Sequence, residues 1–163
     1  MDLSVLNQIA RHEREHRAPV QIRCCLAAGC ISADSEAVLS RLKQAVQEAG
    51  LEDRVQVAGV GCMRLCSQGP LVQVEPAGAL YQRVTPKAAA SVVHGIEGGE
   101  VEADRADPDS PFFKLQTSVV LENSGRVEPE RIETYIAANG YRALYRALFE
   151  TTPAEVLEAI TRS

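Results

Sequence analysis

Apolar residues recur with two different periods along the first hundred residues, and these periods predict alternating helices and strands. Helical spacing over residues 3–17 predicts a first helix that ends before Pro19, and the alternation over residues 20–24 predicts a first strand. A second helix is predicted over 34–49, because it has a capping residue, an apolar stripe and a terminal glycine. The remaining predicted elements are strands at 54–58, 71–74 and 80–84 and a short helix at 86–95.

The order of these elements predicts an α/β fold with a thioredoxin-like mixed sheet and flanking helices. Two strands separated by a helix imply a parallel pair, and the strands at 71–74 and 80–84 add an antiparallel hairpin. We predict that residues 1–103 form this domain.

The pattern changes after residue 103. Residues 104–111 are rich in Asp and Pro, which predicts a linker over 104–113. An apolar, strand-like run follows at 115–121, and three helical pieces start near residues 128, 141 and 152. The segment 114–163 has too little apolar surface for a core of its own, so we predict a mostly helical tail that begins a second, truncated domain.

Composition narrows the class of protein. The apolar fraction is 45% and the net charge is −5, with no basic block, which argues against nucleic acid as a partner. No apolar run is long enough to span a membrane, and the N-terminus lacks a signal-peptide pattern. We therefore expect a cytoplasmic protein, in which thiols stay free unless a metal or a redox reaction uses them.

Five cysteines fall in two clusters, each in the loop after a predicted parallel strand. Parallel strands end at the same edge of a sheet, so the two loops should meet. Cys25 and Cys30 have the spacing C-x4-C, and Cys62 and Cys66 have the spacing C-x3-C. Four cysteines are the usual ligands of a 2Fe–2S cluster, whereas structural zinc favours C-x2-C pairs. A non-catalytic interaction module held by structural zinc is the alternative hypothesis.

Cys24 is the fifth thiol. Strand alternation places it beside Val20 and Ile22, facing the core, where a free cysteine behaves as a small hydrophobe. Cys25 points the other way and is therefore predicted to be the ligand. A C-x5-C pair of Cys24 with Cys30 stays open.

One further motif has the spacing of a catalytic metal site. His12 to His16 matches H-E-x-x-H, the zinc-protease pattern. We interpret it as a chance match, because the helix is short and charged and the only other histidine is His94. No catalytic residue is predicted, and the C-x-x-C motif of thiol oxidoreductases is missing.

The two cysteine segments, CLAAGC at 25–30 and CMRLCSQGP at 62–70, resemble the thioredoxin-like 2Fe–2S ferredoxin domain of the NADH dehydrogenase family. The resemblance implies four cluster ligands, Cys25, Cys30, Cys62 and Cys66. Backbone amides around Gly29, Gly61 and Gly69 are expected to donate hydrogen bonds to their sulfurs.

The tail carries a second resemblance. Residues 120–136 and 139–144 are similar to the segment that leads into the flavin-binding domain of the NADH-oxidising subunit. Residues 152–163 look like the last helix before the glycine-rich nucleotide loop of that domain. Together with the ferredoxin domain, this arrangement resembles the diaphorase flavoprotein subunit of bidirectional NAD-reducing nickel–iron hydrogenases.

These resemblances imply a function in electron transfer. The expected cofactor of this chain is a 2Fe–2S cluster, with FMN and NAD only in the complete subunit. The expected partners are the other subunits of an NAD-linked hydrogenase or dehydrogenase complex. The sequence stops before the nucleotide loop, so it is expected to be a fragment or a truncated product that oxidises no NADH alone.

Overall fold

The computed structural model describes residues 2–163, and the chain separates into two compact units. One unit comprises residues 17–129 and contains the sheet and all five cysteines. The other comprises the N-terminal residues up to His16 together with residues 130–163.

A five-stranded mixed sheet forms the centre of the first unit. Its strands are β1 (Val20–Cys25), β2 (Val55–Val60), β3 (Val72–Glu75), β4 (Ala79–Gln82) and β5 (Asp104–Ala106). The strand order is β2-β1-β3-β4-β5. Strand β1 pairs in parallel with β2 and antiparallel with β3, and the remaining pairs are antiparallel.

Helices flank this sheet. They are α2 (Ala28–Ile31), α3 (Ser35–Glu48), α4 (Pro86–Ile96) and the short α5 (Pro111–Lys114), with a 3-10 turn at Cys66–Gln68. Helices α3 and α4 pack against each other. The apolar stripe predicted for α3 is buried at Val38, Leu42, Ala45 and Val46 and half-buried at Leu39. The predicted α/β class with a thioredoxin-like mixed sheet is confirmed.

Thr85 caps the N-terminus of α4. Its Oγ1 accepts a hydrogen bond from the Ala88 amide at 3.2 Å, and Pro86 occupies the first turn. Because the cap satisfies an otherwise unpaired donor, Thr85→Ala should lower the free energy of unfolding by about 1 kcal/mol in a urea titration. Thr85→Ser keeps the hydroxyl and is the control. Equal stability of the alanine and serine variants would show that the cap contributes nothing.

Residues 104–113 differ from the predicted linker. Residues 104–106 form β5 and pair with β4, Leu80 lying opposite Ala106. Ala106 is buried in the same apolar cluster as Leu80. The prediction relied on the Asp and Pro content of the segment, but one buried alanine and a free strand edge are enough to extend the sheet by three residues.

Residues 115–121 do not form the predicted strand. They adopt turns and irregular backbone, and Leu115, Val119 and Val120 are 85%, 79% and 94% exposed. A strand needs a neighbouring strand for its backbone hydrogen bonds. Residues 115–121 pair with none of the strands in the described chain, so the strand prediction is wrong.

The second unit is helical. It consists of α1 (Leu3–Glu15), α6 (Ile132–Ala137), α7 (Arg142–Phe149) and α8 (Pro153–Arg162). Helix α1 packs against α6 and buries Leu6, Ala10 and Ile136. An ion pair of 2.8 Å joins Arg131 to Glu13.

The tail therefore obtains a small core by packing with α1, which the sequence patterns assigned to residues 1–103. The starts of the three tail helices lie within about four residues of the predicted positions. The division into a ferredoxin domain and the start of a flavin-binding domain stays a prediction. No helix within residues 2–163 has both the length and the apolar character needed to cross a bilayer.

Candidate metal centre

Two cysteine loops lie at one end of the parallel pair β1 and β2. Cys25 is the last residue of β1, and Cys30 follows in the short helix α2. Cys62 lies two residues after the end of β2, and Cys66 begins the 3-10 turn. The expectation that both loops meet at one sheet edge is confirmed, because a Cβ atom placed on Gly29 would lie 3.2 Å from Cβ of Cys66.

The four thiols form two pairs. The sulfurs of Cys62 and Cys66 are 3.9 Å apart, and the thiol of Cys25 lies close enough to that of Cys30 to raise its pKa. Two sulfurs on one tetrahedral metal lie about 3.8 Å apart when each metal–sulfur bond is about 2.3 Å. The Cys62–Cys66 separation therefore suits two ligands of one metal.

Burial differs between the two pairs. Cys25 and Cys30 are fully buried, whereas Cys62 is half-buried and Cys66 is exposed. Burial raises the pKa of the Cys30 thiol to about 12, and its contact with Cys25 adds to the shift. The hydrogen bond between the thiols of Cys62 and Cys66 is the largest cause that raises the pKa of Cys66, and Coulombic repulsion by Cys62 and Cys25 adds to it. The thiols of Cys30 and Cys66, whose pKa values are raised, are thus protonated near neutral pH, and a bound metal would displace their protons.

Cys24 lies apart from these four thiols. It is fully buried in the core between the sheet and helices α3 and α4, and its Sγ donates to the Ser35 carbonyl at 3.6 Å. Burial raises its pKa to about 12. Cys25 belongs to a different apolar cluster, with Cys30 and Leu71. The predicted alternation of the two neighbouring cysteines is confirmed.

Backbone amides reach two of the sulfurs. The Arg64 amide donates to Sγ of Cys62 at 3.2 Å, and the Leu71 amide lies close enough to Sγ of Cys30 to oppose part of the rise in its pKa. Arg64 has a φ of 68°, a left-handed conformation that is uncommon outside glycine. No side-chain pattern signals this donor, since any residue between the two cysteines carries the same amide.

Two of the glycines around which sulfur-bonding amides were expected, Gly29 and Gly69, have a steric role. The Gly69 amide donates to the carbonyl of Cys66 at 3.2 Å, not to a sulfur. A Cβ atom on Gly69 would lie 2.8 Å from Sγ of Cys30. Gly29 and Gly69 therefore leave room for the sulfurs of Cys66 and Cys30.

The donor set fits a 2Fe–2S cluster. Two cysteine pairs would provide two thiolates for each of two irons, the glycines leave space beside the sulfurs, and the Arg64 amide donates to Cys62. No group of three or more His, Cys, Asp or Glu side chains within residues 2–163 is arranged to hold a single metal ion.

His12 and His16 take no part in this centre. Both are exposed, His12 on α1 and His16 at its C-cap, with ring centroids 4.0 Å apart, and Nδ1 of His16 lies 2.9 Å from the His12 carbonyl oxygen. The H-E-x-x-H match therefore recruits no third ligand in the part of the chain that the structure describes.

Comparison with protein families gives a match over residues 6–97, more than half of the chain, to the thioredoxin-like 2Fe-2S ferredoxin family. A 2Fe-2S ferredoxin of Clostridium pasteurianum is 36% identical over 73 residues, which are 44% of this chain and 72% of that ferredoxin. The NADP-reducing hydrogenase subunit HndC of Solidesulfovibrio fructosivorans is 42% identical over 50 residues. These are 31% of this chain and only 10% of that subunit.

Solved structures of a thioredoxin-like 2Fe-2S ferredoxin from Aquifex aeolicus are also similar. One matches with a TM-score of 0.49 and 24% identity, covering 56% of this chain and 96% of the ferredoxin. The wild-type protein in another structure matches with a TM-score of 0.48 over 53% of this chain and 93% of its own. The family carries a 2Fe–2S cluster and transfers electrons, and the match over residues 6–97 shows that the chain belongs to the thioredoxin-like 2Fe-2S ferredoxin family.

Proposed function

We propose that Cys25, Cys30, Cys62 and Cys66 ligate the 2Fe–2S cluster and that the chain passes single electrons within an NAD(H)-linked oxidoreductase. The observation that carries the proposal is the pairing of four thiols at one end of β1 and β2. A 2Fe–2S cluster supplies reversible one-electron chemistry at a potential that its surroundings adjust. This chain supplies the ligands, the hydrogen bonds and the apolar wall around them.

The two cysteine pairs differ in burial, so the centre has one buried side and one side that faces solvent. Cys25 and Cys30 lie against Val60, Leu71 and Leu80, which exclude water from that side. Cys66 is exposed on the other side. An electron partner would therefore approach the centre past Cys66.

The NAD(H)-linked setting rests on two similarities. HndC is a subunit of an NADP-reducing hydrogenase, and the tail resembles the segment before a flavin-binding domain. We propose that residues 1–103 are the ferredoxin domain, 104–113 the connection and 114–163 the start of an FMN- and NADH-binding domain. The partners would then be the other subunits of a cytoplasmic hydrogenase or dehydrogenase complex of the NAD-linked class.

Electron delivery from NADH tests this setting. The oxidised chain is mixed anaerobically with NADH alone, or with NADH and a flavoprotein subunit of the NADH dehydrogenase type. We expect the visible absorbance to bleach only when the flavoprotein is present, because a one-electron centre does not accept a hydride directly. Dithionite is the control for full reduction. A chain that dithionite reduces and the NADH–flavoprotein mixture does not would contradict the NAD(H)-linked role.

A further inference from the structure

One segment outside the predicted ferredoxin domain contacts the Cys62 loop. Residues 118–125, called the strap here, have irregular backbone and lie in the same unit as the cysteines. Oγ of Ser124 donates to the carbonyl oxygen of Cys62 at 2.9 Å, and the guanidinium of Arg64 donates to Oγ of Ser118. The strap is thus joined to the Cys62–Cys66 loop at two points.

The strap also packs closely against this loop. A Cβ atom on Gly61 would lie 3.3 Å from Oγ of Ser124, and one on Gly125 would lie 3.3 Å from the Cys62 carbonyl oxygen and 3.2 Å from Cγ of Met63. Gly125 has a φ of +77°, which glycine adopts without strain. The two glycines allow the two backbones to approach on either side of the Ser124 hydrogen bond.

This contact matters because the Cys62 loop is the less buried half of the centre. Cys62 is half-buried and Cys66 is exposed, whereas Cys25 and Cys30 are fully buried. The Arg64 amide that donates to Cys62 belongs to the same loop, and its side chain is the one joined to Ser118. A fixed strap therefore fixes the carbonyl group of Cys62 and also the Arg64 amide that donates to its sulfur.

We propose that Ser124 is a positioning residue for the Cys62–Cys66 pair and that the strap stabilises the cluster-bound form of this loop. The inference rests on the proposed ligation by Cys62 and Cys66. It assigns the tail segment 118–125 a function in the ferredoxin unit itself, in addition to any connection to a further domain.

The test compares Ser124→Ala with the wild-type chain in two forms. In the cluster-loaded form, the rate at which excess EDTA bleaches the visible absorbance should rise roughly fivefold, the factor that corresponds to a hydrogen bond of about 1 kcal/mol. In the metal-free form, iodoacetamide should alkylate Cys62 severalfold faster, as mapped by mass spectrometry, while the rate at Cys24 stays unchanged. Thr161→Ala is the control, since Thr161 donates to the Leu157 carbonyl within α8, outside the unit that contains the cysteines.

Wild-type rates in Ser124→Ala for both bleaching and Cys62 alkylation would overturn the proposal. If the wild-type chain binds no iron, the proposed function is contradicted. The rate at which Cys62 is alkylated in Ser124→Ala, relative to the wild-type chain, then decides the role of the strap. Faster alkylation supports the strap in that case as well. An unchanged rate rejects it.

Discussion

Cys25→Ala should abolish the cluster, whereas Cys24→Ala should keep it. The two residues are neighbours in β1 and both are fully buried, so they form a matched pair for substitution. Their side chains lie in different apolar clusters, and only Cys25 contacts Cys30. The measurement is the iron content and visible absorbance of each variant after anaerobic purification.

The stabilities of the two variants provide the control. Cys24→Ala removes a small side chain from the core and should cost about 1 kcal/mol of unfolding free energy, a typical value for a point mutation. Circular dichroism should show that both variants keep their secondary structure. A folded, brown Cys25→Ala variant beside a folded, colourless Cys24→Ala variant would reverse the assignment and make the first pair Cys24 and Cys30.

Gly69→Ala should also lose most of its iron. The new Cβ would lie 2.8 Å from Sγ of Cys30, a distance shorter than real Cβ atoms show. It would also lie 3.5 Å from Cα of Cys30. The backbone on either side is held by hydrogen bonds from Arg83 to the Gln68 carbonyl and from Val84 to the Pro70 carbonyl, at 2.8 and 3.1 Å. The methyl group must therefore displace the sulfur, and we expect less than half of the wild-type iron per folded chain.

Gly78→Ala is the control for this prediction. Its Cβ would meet no atom within 4 Å, although its φ of +63° makes alanine strained in the turn. It should lower stability without lowering the iron content of the folded protein. Full iron in folded Gly69→Ala would show that Cys30 tolerates a shift of its sulfur, and that the space beside Gly69 is not needed.

The sequence alone predicts the first four strands of the sheet and the placement of the cysteines in the fold, because both depend on local patterns. Alternation over residues 20–24 separates the face of Ile22 and Cys24 from that of Cys25, and the structure buries them in separate clusters. The loops of Cys25 and Cys62 meet because parallel strands end at one edge. The alternation of apolar residues and the order of the elements along the chain are sufficient to predict both the separation of Cys24 from Cys25 and the meeting of the two loops.

Features that depend on distant contacts could not be predicted in this way. Residues 104–106 form a strand only because β4 offers a free edge, and residues 115–121 form none because they pair with no strand of residues 2–163. Helix α1 packs on α6, more than a hundred residues away in sequence. The hydrogen bond from Ser124 to the Cys62 carbonyl spans 62 residues and leaves no periodic pattern.

The metal content of the cysteine centre tests the proposed ligation of a 2Fe–2S cluster most directly. The measurement is metal analysis of the anaerobically purified chain, combined with an EPR spectrum after reduction by dithionite. We expect about two irons per chain and a rhombic S = 1/2 signal that is lost in Cys62→Ala and Cys66→Ala. About one zinc per chain with no EPR signal would contradict the proposed ligation and would make the four cysteines a structural zinc site.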